Sequence, residues 1–169
     1  MSSSSLDDAF AHHVWATTRL IDTCLPLTVE QLGTTVPGTY GSIIETMRHL
    51  VGADRSYLSV LSGGQVTQID KSSMDVAQLR AVMTTAAGDW ASVLETDPDP
   101  DAIVTRHRDD GSLSHAPAGI RLAQAIHHGT DHRSQICTAL TSLGVEPPAI
   151  DVWDFGESEG RVSEVPNQH

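Results

Sequence analysis

Hydrophobic positions recur along most of this chain at steps of three and four residues, the spacing that gathers side chains on one face of an α-helix. Leu6, Phe10, His13, Thr17, Ile21 and Cys24 form the first such stripe, which stops before Pro26 because proline cannot donate into a continuing helix. Ser42 followed by Glu45 has the form of a capping box, and Ile43, Met47, Leu50, Asp54, Leu58 and Leu61 then mark a second inward face that ends at Gly63-Gly64. Val76, Leu79, Met83, Ala86, Trp90 and Leu94 make a third stripe, closed by Pro98 and Pro100. Pro117 suits the first turn of a fourth helix, on which Leu122, Ile126, Cys137 and Leu140 share one stripe and Gly144 is the stop. The pattern predicts an all-α domain of four long helices packed as a bundle.

Two segments fall outside this periodicity. Ile103 to His115 alternates weakly around Asp110-Gly111, a dipeptide suited to a tight turn, so a short hairpin or an extended loop is expected between the third and fourth helices. After Pro147-Pro148, Ile150 to Phe155 reads as a short helix or as an apolar segment whose Trp153 and Phe155 pack on the bundle or on a second subunit. Residues 1–156 are therefore expected to form a single domain and residues 157–169 a flexible tail.

Composition narrows the partners. Ten basic residues against 22 acidic ones give a net charge of −12, which argues against nucleic acid and anionic membrane surfaces. No apolar run approaches the roughly 20 residues needed to cross a bilayer, and Met1-Ser-Ser-Ser-Ser lacks the basic flank and apolar core of a signal peptide. A soluble, cytoplasmic protein is expected, with Cys24 and Cys137 reduced inside amphipathic stretches.

The candidate chemistry centres on His128 and His132, which stand one turn apart on the fourth helix in the stripe Ala125, His128, His132, Ile136, Ala139 and Leu143. Taken alone, the pair reads equally as two hydrogen-bonded core histidines or as two-thirds of a metal site. His49, on the flank of the second helix, is the third imidazole a bundle core brings within reach. Three neutral imidazoles leaving an open position suit Zn²⁺, Ni²⁺ or Fe²⁺.

Three stretches together carry a family resemblance: Gly41-Ser-Ile-Ile-Glu-Thr-Met-Arg-His-Leu-Val-Gly-Ala-Asp54, Gln124-Ala-Ile-His-His-Gly-Thr-Asp-His-Arg-Ser-Gln-Ile136, and Asp151-Val-Trp153. They resemble the DinB/YfiT-like metalloenzymes over nearly the whole chain. The resemblance implies a four-helix bundle of DinB/YfiT-like topology and a divalent metal held by one histidine from His-Leu-x-x-Ala-Asp/Glu and two from His-x-x-x-His-Arg-x-Gln. Those positions are His49, His128 and His132. Characterised relatives include thiol-dependent S-transferases and a mycothiol-dependent maleylpyruvate isomerase. The resemblance thus implies activation of a low-molecular-weight thiol toward a small-molecule substrate. A hydrolase using metal-bound hydroxide and a non-catalytic, stress-associated metal-binding bundle are the alternatives. Relatives often pair, and a homodimer is expected.

One departure concerns His12-His13-Val-Trp15-Ala16, where His13 stands in place of the family's more familiar Asn. It is a candidate polar group over the metal, a proton shuttle, or a core histidine satisfied by a carbonyl, the last being favoured. Asp54 on an inward face and Arg133 on an inward stripe of the fourth helix are expected to pair, with a structural or supporting role near the metal. Gln135 is a candidate amide contact. His107 and His115 are candidates to border a substrate opening, whereas His127 is read as solvent-facing, Asp131 as surface charge in preference to a general base, and His169 as part of the tail. Because the ligands bind as neutral rings, metal affinity and activity are expected to fall together below about pH 6.

Overall fold

A computed structural model describes residues 4–108, 110–163 and 165. In chain order these form α1 (Ser5–Cys24), α2 (Val29–Leu32), α3 (Ile43–Leu61), α4 (Val76–Glu95), β1 (Ile103–His107), β2 (Leu113–Pro117), α5 (Ala118–Ser142) and α6 (Val152–Ser158). The protein is mostly helical with one small two-stranded sheet.

Local chemistry accounts for where the helices start. The Ser4 hydroxyl accepts from the Asp7 amide while the Asp7 carboxylate accepts from the Ser4 amide, and the same reciprocal pairing links Ser42 with Glu45 and Asp75 with Gln78. Each pair satisfies two of the amide donors that a helix start leaves open. At the far end of α3, Gly63 and Gly64 adopt φ of 64° and 88°, values that cost a residue with a side chain but not glycine.

The four long helices pack face to face, α1 against α4 and α5, and α3 against α4 and α5. Phe10, Leu20, Met47, Leu58, Trp90 and Leu140 lie between them with almost no exposure. At roughly 1.5–3 kcal/mol for each large apolar side chain removed from water, this core is the main force that holds α3 against α5. That pairing is the one on which the candidate site depends. Both cysteines are free, Cys24 buried and Cys137 half-buried. No helix among the described residues is long and apolar enough to cross a membrane.

The segment around Asp110-Gly111 is a hairpin. β1 and β2 run antiparallel with Thr105 opposite His115, and Gly111 in the turn has φ of 80°. Arg121 ties the hairpin to α5 by donating from its guanidinium to the carbonyls of Val104 and Ser114.

Several boundaries differ from the sequence expectation. Leu6, placed on the inward face of the first helix, is 42% exposed in the first turn of α1, which follows the Ser4 cap. Pro117 ends β2 and caps α5 rather than starting it. The expected flexible tail from residue 157 is corrected at its start: α6 runs to Ser158, and Arg161 pairs with the Asp8 carboxylate at 2.8 Å. Phe155 is the anchor of this segment, buried against the rings of Trp15 and His12, while Trp153 remains 71% exposed. Residues 166–169, including His169, lie outside the described residues.

Candidate metal centre

α3 contributes His49, and α5 contributes His128 and His132 one turn apart. One ligand atom from each lies within 4.8 Å of the other two. The Nε2 atoms of His49 and His128 are 2.9 Å apart, one ring donating to the other. Imidazole nitrogens on a tetrahedral zinc-like ion sit about 2.1 Å from it and so about 3.4 Å from one another. The His49–His128 distance is shorter than that value and every separation lies within 4.8 Å, so the three rings are within reach of one shared ion.

The surroundings favour ligation. Burial, then the neighbouring imidazole of His132, pushes the His49 pKa down to about 4, with Lys71 adding to the shift. His128 is likewise pushed down to about 4, by burial first and then by His132 and His49. Both rings therefore stay neutral at ordinary pH and keep a lone pair for a cation. His132 is oriented by Gln135: its Nδ1–H donates to the Gln135 side-chain oxygen at 3.0 Å, and the Tyr40 amide donates to the same oxygen at 3.0 Å. With Nδ1 so engaged, Nε2 of His132 presents its lone pair to the cluster. The Tyr40 ring stacks on His49, centroids 4.1 Å apart and planes 15° from parallel, and meets His132 edge-on.

His13, Asp54 and Arg133 meet behind this cluster, in an arrangement that corrects the expected pairing. Asp54 does not bond Arg133. Its carboxylate accepts from His13 Nε2 at 2.8 Å and from the Trp90 indole at 3.1 Å. Arg133 donates to His13 Nδ1 at 3.0 Å and to the Thr17 hydroxyl at 3.1 Å. His13 is interposed between the two charges because Gly129 leaves a space for its ring; a Cβ at that position would lie 2.4 Å from His13 Cε1. The favoured carbonyl partner for His13 is thus replaced by a carboxylate and a guanidinium. With both ring nitrogens occupied, His13 stands outside the three-histidine cluster.

The cluster opens onto a cleft of about 900 Å³ lined by His49, His128, Ser56, Tyr57, Lys71 and Arg106 among others. His107 and His115 do not line it. Both are exposed on the hairpin, His115 bonded to Thr105, and the neighbouring Arg106 is the strand residue that reaches the cleft. His127 and Asp131 face solvent, as expected.

Sequence reasoning did not find Tyr40, Lys71 or Arg106. The first two lie in connections without periodicity, and the third on a strand whose alternation is weak. For Trp90 a signal existed: a buried Asp54 requires donors, and an indole N–H on a facing helix is one.

The fold and the site together define a helical protein with three converging histidines, two of which line a cleft, a donor set suited to a divalent cation. The chain matches the family model of the DinB family over residues 1–167 and belongs to that family. Among curated proteins, none matches the sequence.

Proposed function

We propose that this protein is a divalent-metal-dependent enzyme in which His49, His128 and His132 hold the ion and a low-molecular-weight thiol attacks a small-molecule substrate bound in the cleft. In this reading the four long helices are the four-helix bundle of DinB/YfiT-like topology. The observation that carries the proposal is the approach of three imidazole nitrogens, two of them on rings kept neutral by burial, beside an open cleft.

A divalent ion in such a site, Zn²⁺, Ni²⁺ or Fe²⁺, supplies a Lewis-acid position at which a thiol or a water loses its proton near neutral pH. The chain's own residues perform the rest. Gln135 fixes the ring of His132, and Tyr40 covers one face of His49. Asp54, His13 and Arg133 lock α1, α3 and α5 together directly behind the ligands, holding α3 and α5 at a fixed separation. The open side of the cleft admits the substrate.

Absorption spectra of Co²⁺-substituted protein, recorded while common low-molecular-weight thiols are added, test the reading. A thiolate-to-metal charge-transfer band that disappears in His128→Ala is the expected result. Hydrolysis of model substrates without any response to thiols would favour the hydroxide mechanism. Tight metal binding that responds to neither would favour a non-catalytic bundle.

A further inference from the structure

The cleft beside the histidines carries cations that, among the described residues, form no ion pair. Acidic residues outnumber basic ones 22 to 10, and Lys71 is the single lysine. Three arginines elsewhere take acidic partners, Arg55 with Asp89, Arg80 with Asp22 and Arg161 with Asp8, while Arg121 donates to carbonyls and Arg133 to His13 and Thr17. Among the described residues, neither Lys71 nor Arg106 forms an ion pair, and both line the cleft.

Lys71 is placed by the shape of α3. Its side chain lies across Gly52, where a Cβ would meet Lys71 Cδ at 2.2 Å and Nζ at 3.1 Å. The ammonium thereby sits about one helical turn beyond His49. It is half-buried, and that desolvation pushes its pKa below the ordinary lysine value. One turn further on, the Ser56 hydroxyl is buried without a hydrogen-bond partner, and so is Nε of Arg106. Buried polar atoms left unsatisfied are uncommon in folded proteins, and the two residues that carry these line one cleft. The acids of the same wall, Glu45 and Asp70, accept hydrogen bonds from Ser42 and Ser72 and form no ion pair with Lys71 or Arg106.

We infer that this cleft takes a small organic oxyanion, with its carboxylate or phosphate held by Lys71 and Arg106 and hydrogen-bonded by Ser56, and its other end directed at the three histidines. An oxyanion offers acceptors to Lys71 and to the Arg106 guanidinium, and to Ser56 once its hydroxyl turns toward the cleft. Arg48, the third cation of the lining, already donates to the Met74 carbonyl. His49, Gly52 and Ser56 follow one another along one face of α3. With a rise of 1.5 Å per residue, the anionic group lies about 5–10 Å from the reacting end of the molecule, the span of a short carbon chain. The reacting end rests on the proposed function above, whereas the anion site stands on the cleft residues alone.

Isothermal titration calorimetry with glutarate and with inorganic phosphate, using glutaramide as the uncharged control, tests the inference. Glutarate or phosphate should bind more tightly than glutaramide, and the preferred one identifies a carboxylate or a phosphate as the group recognised. Lys71→Met and Arg106→Met should each weaken that binding about tenfold, while Lys71→Arg retains it. Co²⁺ affinity, measured on the same samples, should not fall with these substitutions, since each of the two methionine variants removes a positive charge near the histidines. Failure of the wild-type protein to bind Co²⁺ would count against the metal reading and leave the anion titration to be judged separately. Should Arg106→Met disturb the hairpin, Lys71→Met decides alone. Equal binding of anions and glutaramide, or anion binding unaltered by Lys71→Met, would overturn the inference.

Discussion

The three histidines do not contribute in isolation, and the effects of substituting them and their neighbours should rank accordingly. Each of His49→Ala, His128→Ala and His132→Ala should largely abolish bound metal, because two imidazoles form a poor chelate. Gln135→Leu should retain the three ligands but weaken metal affinity about tenfold, since the His132 ring loses the acceptor that sets its tautomer. Equilibrium titration with Co²⁺ checks both. Asp54→Ala should act on stability instead: it strips the acceptor from His13 and from the Trp90 indole, and a loss of about 3 kcal/mol by urea denaturation is expected. The histidines themselves were legible in the sequence, since four-residue spacing fixes His128 and His132 on one face. The partner of Asp54 was not. An inward Asp and an inward Arg suggest a direct pair, and only the space beside Gly129 shows that His13 fits between them.

At the scale of elements, Gly129 is the position where helix propensity and site geometry conflict. Alanine would favour the helix by about 1 kcal/mol in an open position. Here its Cβ would press on a ring fixed at both nitrogens, so Gly129→Ala should destabilise the protein by about 1–3 kcal/mol, measurable as a lowered thermal midpoint. The long helices and the Ser42–Glu45 cap could be read from the chain because periodicity and capping pairs are local properties. The walls of the cleft could not. Tyr40 and Lys71 come from connections, and Arg106 reaches the cleft only because Arg121 fastens the hairpin to α5. The extent of α6 and the docking of Arg161 were not legible for a related reason. Burial of Phe155 on Trp15 and the pairing of Arg161 with Asp8 are long-range contacts without a local signature.

For the whole molecule, the lowered pKa values of His49 and His128 set the response to pH. Unfolded histidines take up protons near 6.5, whereas these two do so in the folded chain only near 4. The unfolded state therefore binds more protons between those values, and metal-free protein should lose stability progressively as pH falls from 6.5 toward 4. Urea denaturation of chelator-treated protein across that range checks the slope. The same shifts delay proton competition for the metal, so metal should be retained below the pH of about 6 expected from free imidazole. Association is the remaining property at this scale. Val152 and Trp153 are 63% and 71% exposed on α6, and a homodimer burying them is expected; a lone 18.1 kDa species in sedimentation equilibrium at high concentration would contradict it. The central claim, a metal held by three named histidines, is tested most directly by elemental analysis of untagged protein and its single-histidine variants after equilibration at one free-metal concentration. One ion per chain in the wild type, and little or none in His49→Ala, His128→Ala and His132→Ala, is the predicted result. Full occupancy in any of the three variants, or no bound metal in the wild type, would contradict it.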